Sequence, residues 1–108
     1  MNIKLKLEKY IDMFNNILMA KDNNDLDLYR SKLKRLFRNI RSDREMCVDH
    51  KSRNTLSKEE RAFLDFISFI VTKINFNPDN QIDKAWDNFL FKFHKELNKT
   101  YNFLYSEI

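Results

Sequence analysis

At 108 residues, 43% of them hydrophobic and 33% charged, the chain has the material for one folded domain and is too rich in core-forming side chains for a disordered tail. It has no glycine and one proline, Pro78, which argues against a sandwich or barrel of tight hairpins, because such turns need the positive φ that glycine supplies. The formal net charge is +4, the lone Cys47 excludes an internal disulfide, and the longest apolar block, residues 66–71, is too short to cross a bilayer.

The first helix is expected over about Asn2 to Ala20. Ile3, Leu7, Tyr10, Phe14 and Ile17 recur at steps of three and four, with Ile11 and Leu18 beside them, so the segment has one wide apolar face. Residues 21–25, Lys-Asp-Asn-Asn-Asp, read as a turn in which Asn24 or Asp25 can cap the next helix. The second helix is expected over about Leu26 to Ser42, with Leu26, Tyr29, Leu33, Phe37 and Ile40 facing the core. Extending that pattern would turn Arg44 inward, so a break is expected near it. Residues 43–56 then form a polar, basic connector with room for one helical turn around Met46, Cys47 and Val48.

Ser57-Lys58-Glu59-Glu60 has the form of a capping box, a serine hydroxyl for the exposed amides with a glutamate reaching back from three residues on. The third helix follows to about Ile74. Phe63, Ile67, Ile70 and Ile74 lie on one line, flanked by Leu64, Phe66 and Val71, which makes it the most buried of the set. Residues 75–80, containing Pro78, stop it. The fourth and longest helix is expected over about Asp79 to Ser106, with Ile82, Trp86, Phe89, Leu90, Phe93, Leu97, Tyr101 and Leu104 as its stripe. The expected fold is therefore all-α: a single antiparallel four-helix bundle over residues 1–108, with a long fourth helix and a polar, basic connector between helices 2 and 3.

Charge is distributed unevenly over this scaffold. Residues 30–53 hold nine Lys or Arg against three acids, which makes the segment +6 and the remainder −2. On the second helix Arg30, Lys34, Arg38 and Arg41 fall within about 80° of one another, with Arg35 and Arg44 close by. Such a ridge can neutralise backbone phosphates or dock onto an acidic protein surface. The plainer alternative is a solvated helix face. A sequence-reading DNA module is not expected, since the connector after this helix is about fourteen residues long and lacks glycine. A second surface is marked by Phe91, His94 and Tyr105, which stand beside the core stripe of the fourth helix among Asp87, Asn98 and Asn102. Aromatic residues on a polar face are typical interface anchors.

Chemistry-bearing motifs are few. Cys47 and His50 sit one helical turn apart, but structural zinc wants four ligands, so no metal and no cofactor is expected. The paired acids Glu59-Glu60, Asp22 and Asp25 lie at helix starts or in the turn before one, where they suit the helix dipole. Arg44 and His50 stand in an Arg-x5-His spacing that resembles the nuclease motif of HEPN helical domains. The resemblance covers seven residues. It implies a metal-independent ribonuclease in which the two side chains meet RNA across a helical dimer. The residue after the arginine, usually polar in that family, is Glu45 here, which does not help a phosphate site.

The expected role is that of a non-enzymatic interaction protein. It would bind and block a macromolecular partner through Arg30, Lys34, Arg35, Arg38, Arg41 and Arg44. Phe91, His94 and Tyr105 would form a second contact or a homodimer surface. The alternative is a nucleic-acid-binding accessory protein that holds phosphate backbones without reading sequence. The alternation of charge and apolar residues in Met1–Lys6 is unlike a secretory leader, so a cytoplasmic setting and no membrane contact are expected. Thirteen Asn, thirteen Lys and nine Ile against three Ala suggest an AT-rich genome, and a small basic helical protein from such a source fits an inhibitor or immunity-type protein of a phage, plasmid or other mobile element.

Overall fold

A computed structural model describes residues 2–50, 56–73 and 83–106, with the side chains of residues 47–50, 73 and 83 outside the description. Four helices make up almost all of it: α1 (Ile3–Asp22), α2 (Leu26–His50), α3 (Lys58–Lys73) and α4 (Asp83–Tyr105). Each packs against its neighbours in sequence, and α1 also closes on α4. Cross-helix contacts fix the directions. Lys6, near the start of α1, meets Asp43 late in α2, and Lys21, near the end of α1, meets Asp87 early in α4. Glu59 at the start of α3 meets Tyr105 at the end of α4. Neighbouring helices are therefore antiparallel, and the molecule measures 44 × 32 × 20 Å.

The helix ends follow from local hydrogen bonding. Asn2 caps α1 by accepting from the Leu5 amide at 3.1 Å. At the other end Asn24 takes a left-handed φ of 57°, which a chain without glycine gives to asparagine. The amides of Asn24 and Asp25 then donate to the carbonyls of Lys21 and Ala20 at 3.0 and 3.1 Å, the paired closure of a Schellman motif. Asp25 also accepts from the Leu28 amide at 3.1 Å and so caps α2, which makes the turn three residues long. The capping box of α3 is formed as expected. Ser57 Oγ accepts from the Glu60 amide at 3.1 Å, and Glu60 Oε1 accepts from the Ser57 amide at 3.4 Å. Replacing Ser57 by alanine is expected to cost about 1 kcal/mol in urea unfolding; an unchanged midpoint would mean that the cap adds nothing to the helix.

The core joins Ile3, Leu7, Tyr10, Phe14 and Ile17 of α1 to Phe63, Phe66, Ile67 and Ile70 of α3 and Trp86, Phe89, Phe93 and Leu97 of α4. These are the stripes the sequence predicts; Ile74 and Ile82 lie outside the described residues, as do the turn at Pro78 and the expected start of α4 at Asp79. The second helix differs in two ways. Its inward line is Tyr29, Leu33, Leu36 and Ile40, while Phe37 is half-buried and Leu26, expected in the core, is 55% exposed. Leu26 opens the first turn of α2, at the end of the bundle, and Phe37 lies beside the core line with its ring 5.1 Å from that of Phe89.

The larger correction concerns where α2 ends. It runs to His50 instead of breaking near Arg44, and at 25 residues, about 38 Å, it is the longest helix described, ahead of α4 at 23. Residues 43–50 of the expected connector are thus helical. The inward position after Ile40 is filled by Asp43, not Arg44. Its carboxylate accepts from Lys6 Nζ at 2.8 Å and from the Tyr10 hydroxyl at 2.5 Å, so the helix continues on a polar contact where apolar residues run out.

Candidate interaction surface

The helical period of α2 displays Lys34, Arg38 and Arg41 on successive turns of its outer face, all exposed. Arg44 is exposed one turn further on, and exposed Glu45 follows Arg41 by four residues, so a negative charge closes that end of the ridge. Arg35 is also exposed but is rotated from Lys34 by about 100°, toward the flank that faces α1. Among the described residues Arg35, Arg38 and Arg44 engage no carboxylate; the ion pairs are Lys6 with Asp43 and Lys21 with Asp87.

Two of the six expected cations also have intramolecular ring contacts. Arg30 is half-buried, with its guanidinium carbon 5.2 Å from the Trp86 ring centroid and its Nε enclosed without a hydrogen-bond partner. It acts partly as a lid on Trp86, held by cation–π attraction. Arg41 lies 5.6 Å from the Phe37 ring but keeps its exposure. The exposed ridge is therefore Lys34, Arg38, Arg41 and Arg44, flanked by Arg35.

The second surface divides. Phe91 is 72% exposed and open to solvent. The His94 ring, although exposed, lies flat on Phe14 at 4.4 Å and 3°, and its Nε2 is 2.9 Å from Asn98 Nδ2. Tyr105 is half-buried at the end of the bundle. Its hydroxyl donates to Glu59 at 2.5 Å, and the Lys4 ammonium lies 5.6 Å from its ring. Burial, then the Glu59 carboxylate, push its phenol well above the usual tyrosine range. The structure thus leaves Phe91 free and ties His94 and Tyr105 to α1 and α3.

The aromatic surface missed by periodicity is Phe103, 64% exposed, at the mouth of a groove of about 750 Å³ between α3 and α4. Leu56, Phe66 and Phe69 line it, Arg61, Asp65, Glu96 and Lys99 surround it, and the Lys58 ammonium sits 4.9 Å from the Phe103 ring. The available sequence signal was its place off the core stripe, seven residues after Glu96 and four after Lys99.

Compared with known protein families, characterised proteins and solved structures, the chain matches none. Among the described residues no group of three His, Cys, Asp or Glu is placed to hold a metal ion, and no helix is long and apolar enough to cross a membrane. Arg44 is exposed on α2 and His50 ends that helix, with its side chain outside the description. What remains on the surface is a convex row of cations. A guanidinium presents a rigid fork of donors that matches a carboxylate or phosphate, and such bonds are about twice as strong as neutral ones.

Proposed function

We propose that this is a non-enzymatic interaction protein that docks α2 onto an acidic surface of a macromolecular partner and blocks it. The observation that carries the proposal is the exposed row Lys34, Arg38, Arg41 and Arg44 along one long helix, with Arg38 and Arg44 engaging no carboxylate among the described residues. A convex helix of this length suits insertion into an acidic channel, where it would compete with a nucleic acid for the same site. The open Phe91 supplies an apolar anchor on another face, for a second contact or a second copy. The Asn-, Lys- and Ile-rich composition supports an inhibitor or immunity-type role in a mobile element, acting in the cytoplasm.

The test is capture from the native host by the full chain, with and without nuclease, set against the variant Arg38→Glu, Arg41→Glu. The variant takes the net charge from +4 to zero. Wild type is expected to retain a protein partner after nuclease treatment, and the variant is expected to lose it while its helical circular dichroism stays unchanged. Capture that disappears with nuclease, joined by direct RNA or DNA binding that falls steeply with salt, would sink the proposal in favour of the phosphate-backbone alternative.

A further inference from the structure

The seam between α1 and α2 carries opposite charges at one end and like charges along its flank. Near the start of α1, Lys6 pairs with Asp43. Further along, Lys9, Asp12, Met13 and Asn16 of α1 face Lys32 and Arg35 of α2 around a cleft of about 170 Å³. Antiparallel helices normally place opposite charges across such a flank, since like charges repel. Here three cations surround one carboxylate, giving the cleft a net charge of +2. None of Lys9, Lys32, Arg35 or Asp12 forms an ion pair among the described residues. Lys32 is half-buried, which places its side chain against the seam. The floor is Met13, whose sulfur accepts from Asn39 Nδ2 at 3.3 Å.

We infer that this cleft is a binding site for a phosphoryl group, specifically a phosphate monoester or free phosphate. Charge and size both select that ligand. A monoester carries about −1.5 to −2 at pH 7, which matches the +2 of the cleft, whereas a carboxylate or a phosphodiester brings only one negative charge. The volume equals that of roughly five or six waters. It accommodates one tetrahedral oxyanion with part of its hydration and falls short of the roughly 300–1,000 Å³ of sites that enclose drug-sized ligands. Arg35 supplies a planar fork, Lys9 and Lys32 supply mobile point charges, and the Asn16 amide adds a neutral donor. Asp12 opposes the anion and sets the affinity from the other side. The site shares no cation with the row Lys34, Arg38, Arg41 and Arg44, so it stands or falls separately from partner capture.

The experiment is an NMR titration of the full chain with sodium phosphate, against sodium chloride at matched ionic strength. Two further arms use a nucleoside 5′-monophosphate and a dinucleotide that carries only a diester. The expected result is saturable shifts at the Asn16 amide and Arg35 Nε–H, similar for phosphate and the monophosphate and at least threefold weaker for the diester. Arg35→Ala should weaken phosphate by about tenfold or more, the loss of a charge-assisted pair. Asp12→Asn should tighten it, and Arg38→Glu, outside the cleft, should change it less than Arg35→Ala does. Shifts that follow ionic strength alone would overturn the inference. So would equal or tighter binding of the diester, an Asp12→Asn variant no tighter than wild type, or an Arg38→Glu effect as large as that of Arg35→Ala.

Discussion

Replacing Phe93 by alanine is expected to destabilise the protein by about 3–5 kcal/mol. Phe93 is fully buried on α4 and stands where three helices meet. Its ring centroid lies 6.1 Å from Tyr10 and 6.4 Å from Phe14 on α1, 5.8 Å from Phe66 on α3 and 6.0 Å from Phe89 on its own helix. Truncation removes the transfer energy of the ring and the edge and tilted contacts with its neighbours, and leaves a cavity that rings held by separate helices cannot collapse to fill. Because a domain of this size is stable by only about 5–15 kcal/mol, the alanine variant loses a large share of that total; Phe93→Leu, which keeps much of the volume, is expected to cost roughly 1.5 kcal/mol. The control is two residues away. Phe91 is 72% exposed, and Phe91→Ala should change the unfolding free energy by less than about 0.5 kcal/mol. Equal effects at positions 91 and 93 would contradict the placement of α4 in the bundle.

That contrast is legible in the sequence because an amphipathic helix exposes its orientation through apolar spacing. Phe93 falls on the line of Trp86, Phe89, Leu90 and Leu97, and Phe91 does not. The same logic places Leu7, Tyr10 and Phe14, and it places Phe63 and Ile67. On α2 it selects Phe37 over Leu36, because an aromatic side chain is large enough to reach the core margin from an off-line position, and spacing alone cannot rank the two. It also expects a break near Arg44, since periodicity counts apolar residues and is blind to Asp43, a polar residue turned inward onto Tyr10 and Lys6, more than thirty residues away in the chain.

The surfaces divide along the same boundary. The concentration of charge on α2 is a property of composition and needs no fold. Which cations remain available depends on partners distant in sequence. Arg30 is drawn over Trp86, and Tyr105 is held by Glu59. The cleft between α1 and α2 has no signature in either helix alone. Lys9 and Asp12 are ordinary surface residues of one helix, Lys32 and Arg35 of another, and only the antiparallel pairing of α1 with α2 sets their charges around one space.

Asp43→Ala is the second substitution with a large expected effect, a loss of about 2–3 kcal/mol. It leaves the Tyr10 hydroxyl and the Lys6 ammonium without their shared acceptor in a partly buried setting, where side-chain exposure is 26% for Lys6 and 14% for Asp43. The consequence extends along α2. Beyond Ile40, Asp43 is the last residue of α2 turned inward among those whose side chains are described, because Arg44, Glu45 and Met46 are all exposed. Without it, nothing described after Ile40 holds the helix to α1, and the final turns should fray back toward Ser42, the end that apolar spacing predicts. Hydrogen exchange should accelerate for the amides of residues 44–50 by more than for those around Leu33 and Leu36. Asp43→Asn, which keeps an acceptor for Tyr10, should recover part of both losses. A fall in global stability with uniform exchange along α2 would show that Asp43 stabilises the bundle without anchoring the helix end. Fraying would also displace Arg44 and loosen Arg41, so the alanine variant should capture the partner less well although every cation of the ridge is still present.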